Sequence, residues 1–458
     1  MSAVRPDEFG RRGFGPGNAR EPASARPQPV VISRLTVGWQ ETGRAATLRE
    51  HTERFGRLPS VMHRGSGSLI EQVAAAGLTG RGGAGFPTGT KMRTVASARG
   101  PAVVVANGME SEPASEKDQA LLARAPHLVL DGIALAAEAV GASEAHLCLA
   151  SSRDWLLDGV MRAVAERERA RLDPVPVTVH QVPDRYVASE ESALVHWLNG
   201  GEAKPTKTPP RVFERGVGKR PTLLDNVETL AHVGLVARFG ADWFRQAGAH
   251  GAAGTTLVTM TGAVARPGVY EIHAGARVGD VLTSAGADGS AQSLLVGGYF
   301  GTWHAIDDVA GLPFTAAGLR PVGGAPGAGV LFVLPAAECG LGEAARILRY
   351  LASQGAEQCG PCMFGLPAIA DDLSQLAVGR PQGDPLDRMQ RRFGQISGRG
   401  ACRHPDGAVR MAASALTAFA ADAHAHARRR PCLASRRGDG MAAATMTMPG
   451  LRTDGDCR

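Results

Sequence analysis

The chain is 458 residues long, a length that suits several hydrophobic cores rather than one. Its 44% apolar and 21% charged residues give the balance of a globular protein, and 5% aromatics are too few for a base-stacking nucleic-acid platform. The net charge of +6 is uneven: arginines crowd the first 60 residues and the stretch "HARRRPCLASRR" (426–437), which reads as a solvated tail or as a patch for an acidic partner.

No run of about 18 apolar residues occurs, so no direct membrane insertion is expected. The opening "MSAVRPDEFGRRGFG" lacks the apolar core of a signal peptide. A cytoplasmic location with reduced thiols is therefore expected, and the spacing of the seven cysteines becomes informative without any pairing.

In chain order, residues 1–30 are rich in Gly, Pro and Arg and read as disordered, and 33–60 as one or two helices. Together, residues 1–60 form an irregular N-terminal extension. Between 61 and 245 strands and helices alternate. "AVVVAN" (102–107), "EAHLCLA" (144–150) and "VTVHQVP" (177–183) read as short buried strands. Helical spacing fills 127–141, 154–172 and the capped stretch "SEESALVHWLNG" (189–200). That alternation predicts an α/β domain, Rossmann-like, with a mostly parallel sheet covered on both faces. Residues 250–330 change texture: two strands around an "RPG" turn and then a helix predict a small β-grasp domain. Residues 335–427 read as a helical bundle and 428–458 as a flexible tail.

The stretch "GLTGRGGAGFPTGTK" (77–91) holds six glycines in fifteen positions. Such a density, beside a strand, allows close backbone approach and points amides at an anion. An ATP-type phosphate loop is excluded, because Lys91 is followed by Met92 rather than Ser or Thr. Gly80, Gly82 and Gly85 match a dinucleotide fingerprint, a weak signal by itself; a flexible surface loop is the plain alternative.

"GRGGAGFPTGTK" resembles the flavin-phosphate loop of the NADH-binding flavoprotein subunit of respiratory complex I, also called NADH-quinone oxidoreductase. Related diaphorase subunits of hydrogenases and formate dehydrogenases share that loop. "NGMESEPASEKD" (107–118), "SEESAL" (189–194) and "DNVETLAHV" (225–233) are similar to three further motifs of that family, in the same order. The resemblance spans roughly residues 60–427 and implies an FMN-dependent oxidoreductase that carries electrons from NADH or NADPH to an iron–sulfur centre and a partner. That partner would be ferredoxin-like or another electron-transfer subunit.

It also implies roles, position by position. Gly80, Gly82, Gly83, Gly85 and Lys91 would cradle the FMN phosphate, and Phe86 would lie near the nicotinamide. Asn107, Glu110 and Ser111 would line the flavin, with Glu112 towards the nucleotide. Glu190 and Glu191 would stand where NADH meets the flavin, and Asn226 would bind the flavin or its ribityl chain. Backbone amides and one lysine neutralise a phosphate, while carboxylates orient hydroxyls. The cofactor supplies the hydride chemistry.

Several positions depart from the family pattern: Met109, Ser189 and Asp225 replace its usual residues, and Thr208-Pro209-Pro210-Arg211 replaces Lys-Pro-Pro-Phe. Cys359, Cys362 and Cys402 match three of its four [4Fe–4S] ligands, and Ala356 stands at the first. Four outcomes stay open: a [4Fe–4S] cluster completed by oxygen, a [3Fe–4S] cluster, no cluster, or zinc completed by His404. Cys339 and Cys148 read as core cysteines, and Cys432 and Cys457 as tail residues without a role. A non-catalytic binding or assembly module of an electron-transfer complex is the competing function.

Overall fold

Val103 to Val105 have nothing polar to show to water, and they run through the middle of the molecule. In the computed structural model, which describes residues 29–59 and 68–436, they form β1 (Ala102–Gly108), buried almost throughout. The expectations for residues 1–28, for 437–458 and for Cys457 fall outside the described residues. The helices that precede the sheet include α1 (Leu48–Phe55), capped by Thr47 and Glu50, and α2 (Leu69–Ala76). The glycine stretch follows and opens α3 (Thr88–Ala96).

After β1 come α4 (Lys117–Arg124) and α5 (Pro126–Val140), which starts on a proline and stops at left-handed Gly141. β2 (Ala142–Ala150), α6 (Asp154–Ala170) and β3 (Val177–Val182) continue the winding. A turn at Tyr186–Ser189 leads into α7 (Glu191–Leu198), and β4 (Thr222–Asn226) runs into α8 (Val227–Arg245). All four strands are parallel, in the order β3-β2-β1-β4. The expected α/β architecture is present. Helices α5 and α8 approach so closely that a Cβ on Gly132 would stand 1.9 Å from the Leu230 carbonyl oxygen. Only glycine fits there.

The strand order has a consequence for function. The chain winds to one side of β1 through β2 and β3, and to the other through β4. A crevice therefore opens at the carboxyl ends of β1 and β4, where α/β sheets bind ligands. Register places Asn107 and Asn226 side by side at that crevice.

The "RPG" hairpin is formed by β5 (Thr255–Gly262) and β6 (Gly268–His273), followed by α9 (Val278–Ala285). With β7 (Ser293–Val296), β8 (Thr302–Ala305) and β9 (Val330–Val333) they make a mixed sheet, order β6-β5-β9-β7-β8, of β-grasp character. Val258, Val281, Leu294 and Leu331 form its core with α9. The helical region consists of α10 (Gly340–Ser353), α11 (Leu366–Ala377), α12 (Pro385–Ile396), α13 (His404–Ala418) and α14 (Ala420–Ala427), around Leu348, Leu373, Met389 and Met411. No single helix among the described residues is long and apolar enough to cross a membrane.

Candidate functional site

The glycine loop is held by its own backbone. Gly80 N–H donates to Phe86 O (2.8 Å) and Thr88 N–H to Leu78 O (3.0 Å), so the segment closes into a hairpin-like arch. Arg81 N–H donates to Thr229 Oγ1 (2.8 Å), which pins the arch to the first turn of α8. A Cβ on Gly82 would lie 3.5 Å from Asn226 Cβ, so the arch stands over the carboxyl end of β4. Gly83 has φ +100, and a Cβ there would meet Gly327 O at 3.3 Å. The arch thus lies between the end of β4 and the loop that leads into β9, with residues 82–87 exposed. Phe86 stays 47% exposed at its rim.

Lys91 projects from α3 to the end of β4. Its Nζ lies 2.9 Å from Glu191 Oε1 and 3.6 Å from Asp225 Oδ1, and it also donates to Leu224 O. Burial works against the charge, but Asp225 and Glu191 outweigh it and hold the ammonium above its usual range. Lys91 is therefore a cation clamped between carboxylates of α7 and β4, rather than a free cation beside the loop amides. Burial pushes the Asp225 carboxyl up against the pull of Lys91, and Asp225 Oδ2 is a buried acceptor without a hydrogen-bond partner among the described residues.

At the end of β1, Asn107 Nδ2 donates to Ser189 O (2.9 Å). Glu110, at φ 38, accepts from the amides of Asp118 and Gln119 (both 3.0 Å) and from Ser115 Oγ. Its carboxylate serves as a cap for α4. Ser111 Oγ donates to Tyr186 O (2.7 Å). Glu112 departs from the expected orientation towards the nucleotide: it turns into the protein, 7% exposed, and accepts from Tyr186 Oη (2.8 Å) and from the Tyr299 amide (2.9 Å). The reason is that a backbone amide and a phenol offer this buried carboxylate donors that water no longer can. Burial raises its pKa to about 7 against those hydrogen bonds.

Beneath Asn226 lies a buried ionic cluster that none of the sequence expectations assigns. Lys117 Nζ contacts Asp118 Oδ1 (2.7 Å) and Glu228 Oε2 (2.8 Å), and Asn226 Nδ2 donates to Asp118 Oδ2 (2.6 Å). Asn226 also caps α8 by accepting from Glu228 N–H (2.9 Å). Burial alone would raise the Glu228 carboxyl; Lys117, His232 and Arg81 reverse this and hold it down at about 2. A signal is present in the sequence, since Lys117, Asp118 and Glu228 stand within the family-like motifs, at the starts of helices that are otherwise buried.

The second centre begins one turn away. Glu190 caps α7, accepting from Ser192 N–H (3.0 Å) and Ala193 N–H (3.1 Å), and it lies within electrostatic reach of Cys402. Cys362 sits in a wide π-helical turn, Pro361–Gly365, and is 3% exposed. Burial, then the Cys359 thiol and Cys402, push its pKa up to about 12, while the Ala356 amide pulls it down. Burial also raises Cys402, opposed by the His404 amide and supported by Glu190 and Cys359. Cys359 and Cys362 share one turn, and Cys402 lies within electrostatic reach of both. Ala356 is buried beside them and offers no side-chain ligand. The His404 ring, expected as a fourth zinc ligand, directs Nε2 to Leu351 O (2.7 Å) and packs against Tyr186 and Phe300.

Residues 73–235 match the family of the Nuo51 FMN-binding domain, and residues 342–426 that of the NADH-ubiquinone oxidoreductase-F iron-sulfur binding region. The F-type subunit of the NADH-quinone oxidoreductase of Streptomyces coelicolor is 30% identical over 429 residues, which cover 90% of this chain and 95% of that one. The chain belongs to this flavoprotein family of NADH-quinone oxidoreductase.

A second relative is the alpha subunit of the NAD-reducing hydrogenase HoxS of Cupriavidus necator, 31% identical over 60% of this chain and 48% of its own. The crystal structure of an NAD+-reducing [NiFe]-hydrogenase in the air-oxidised state superposes with a TM-score of 0.77, at 27% identity, over 92% of this chain and 72% of that chain. The expected resemblance and fold are therefore correct. As a member of the family, the chain is a flavoprotein oxidoreductase of the electron-transfer class, with FMN and a [4Fe–4S] cluster as its cofactors.

Its residues fit those groups. A Cβ on Gly85 would meet nothing within 4 Å, which leaves open space at the loop, and the unpartnered Asp225 Oδ2 suits the hydroxyl and N–H donors of a flavin. The thiols of Cys359, Cys362 and Cys402 are the soft donors an iron–sulfur cluster takes, and the Ala356 amide hydrogen-bonds the Cys362 sulfur. Three thiols are available to the cluster, and Ala356 supplies no fourth.

Proposed function

We propose that this flavoprotein accepts electrons from NADH at the FMN crevice and delivers them through the Cys359–Cys362–Cys402 centre to a ferredoxin-like or other electron-transfer subunit. In this reading residues 61–245 bind FMN, 250–330 are the β-grasp domain, and 335–427 carry the cluster. A cytoplasmic setting suits thiolate ligands, which need a reducing compartment. FMN, when bound, supplies the exchange between hydride and single-electron chemistry.

The protein's own part is positioning. The amides of Gly82, Gly83 and Gly85 would hold the phosphate while Gly80 closes the arch behind them, with Lys91, Asn107, Ser111 and Asn226 around the rest of the flavin. Glu110 and Glu112 act from behind, Glu110 by fixing α4 and Glu112 by fixing the turn at Tyr186. Glu190 and Glu191 border the opening, with exposed Phe86 opposite.

One observation carries the reading: a single short turn joins both centres. Ser189 O accepts from Asn107 at the flavin crevice, Tyr186 N–H donates to Gln354 Oε1 (3.2 Å), and Glu190 lies within electrostatic reach of Cys402. Thr208 and Arg211 replace a lysine and an aromatic placed towards NADH. Loss of a charge-assisted contact of about 1.5–3 kcal/mol lowers affinity by one to two decades. Arg211 is exposed and offers a guanidinium to a 2′-phosphate, so NADPH belongs in the same assay.

Anaerobic stopped-flow with FMN-loaded protein tests the proposal. NADH or NADPH should bleach the flavin, with cluster reduction following in freeze-quenched EPR. Flavin that stays oxidised at millimolar concentrations of both donors would leave the non-catalytic assembly role instead.

A further inference from the structure

By sequence Cys432 has no role and Cys339 is packing. The structure places them together. Cys339 Sγ, Cys432 Sγ and a ring nitrogen of His426 all lie within 4.8 Å of one another. They come from three separate places: the N-cap of α10, the end of α14, and the segment that doubles back after it. The arginine-rich stretch 428–430 is thus a turn that returns the chain to the bundle.

We propose that Cys339, His426 and Cys432 form a second metal site, distinct from the Cys359–Cys362–Cys402 centre, that holds a zinc-class divalent ion. Two thiolates and one imidazole are the donor set that zinc takes in structural sites, with a fourth position for Ser435 or water. Ser435 Oγ lies 3.5 Å from Cys432 Sγ. Two thiolates also cancel the charge of a divalent ion, which suits a place where His426 is fully buried and Cys339 is 8% exposed.

The histidine is oriented for the task. His426 Nδ1 lies 3.2 Å from the carbonyl oxygen of Leu376, which makes Nδ1 the protonated nitrogen and leaves Nε2 the lone pair on the cysteine side. Metal-ligating histidines are fixed in this way by a carbonyl behind them. Nε2 accepts from the Cys432 amide (2.9 Å), a bond that an arriving ion replaces. Cys339 accepts from the Gly342 amide (3.4 Å), a donor that also stabilises a thiolate. Binding releases the two thiol protons, so it strengthens as pH rises.

The test uses the full chain, prepared anaerobically, stripped with a chelator and titrated with zinc against a colorimetric competitor. One zinc per chain should bind, and the cobalt form should show thiolate-to-cobalt absorption. Cys432→Ser and Cys339→Ser should each abolish that equivalent. Serine at 339 remains a good helix cap, so the variant keeps α10. Cys362→Ser should retain it. Zinc that follows Cys362 rather than Cys432 would overturn the proposal. So would a wild type that binds none, or whose mass under non-reducing conditions shows Cys339 and Cys432 joined as a disulfide in the protein as isolated.

Discussion

Glu112 illustrates how a single side chain can link both centres without touching either. Its carboxyl holds Tyr186 through the phenol and Tyr299 through the backbone, and burial sets its pKa near 7 instead of 4.5. The folded state therefore binds the proton more tightly than the unfolded chain does. The resulting stabilisation is fully present below pH 4.5 and is lost as pH rises through 7, an amount of about 3 kcal/mol. Glu112→Gln stays neutral throughout and retains one acceptor oxygen. Its melting temperature relative to wild type should rise between pH 5 and pH 8, as followed by calorimetry. Parallel melting curves over that range would show that Glu112 does not titrate there. Ser111 and Asn107 serve the same turn from the other side, so Glu112→Gln should leave flavin content unchanged.

At the scale of elements, the glycine arch and the cysteine turn were legible because each is contiguous. "GRGGAGFPTGTK" contains its own backbone closure, and Cys359 and Cys362 share one turn. The β1–α–β2 alternation was legible for a similar reason, since its buried strands are unbroken apolar runs. What could not be read is whatever requires distant segments to meet. Lys117 finds Glu228 only once β4 lies beside β1, and Lys91 finds Asp225 and Glu191 only after α7 has folded back. Only the family resemblance places Glu112 towards the nucleotide, and the tertiary donors that hold it inside the protein leave no local trace in the sequence. Composition misled at Cys432, where arginines suggested a solvated tail.

The arch also gives a sharp expectation. Gly83→Val would force a β-branched residue to φ +100 with its Cβ 3.3 Å from Gly327 O, at a cost of about 1–3 kcal/mol. The arch should open while the sheet, which does not depend on it, persists. Flavin released from the purified variant should fall well below stoichiometric, with an unchanged far-ultraviolet spectrum. A full complement of flavin would remove the loop from the binding site. Cys402→Ala separates the second centre from the first: iron in reconstituted protein should drop, and flavin should not.

On the scale of the whole molecule, the segment before α1 fastens the two sheets to each other. Glu271, on β6, is 1% exposed. Its Oε2 accepts from the amides of Arg34 (2.7 Å), Leu35 (2.8 Å) and Thr36 (3.0 Å), and Oε1 accepts from Thr255 Oγ1 (2.5 Å). The same segment reaches the α/β side, where Arg34 donates to Phe244 O (3.1 Å) and stacks over Trp243 (3.9 Å). One carboxylate thus satisfies three consecutive amides that would otherwise be stranded between the layers. Removing it in Glu271→Ala leaves those donors unpaired, at a cost of about 3–5 kcal/mol. The segment should detach before the sheets unfold, because its attachment is polar and local while their cores are apolar and separate. Limited proteolysis under native conditions should then cut Glu271→Ala within residues 31–59, where wild type resists, and the urea midpoint should fall. Equal resistance of both proteins, with equal midpoints, would mean that packing around Leu35 and Trp243 holds the segment without Glu271.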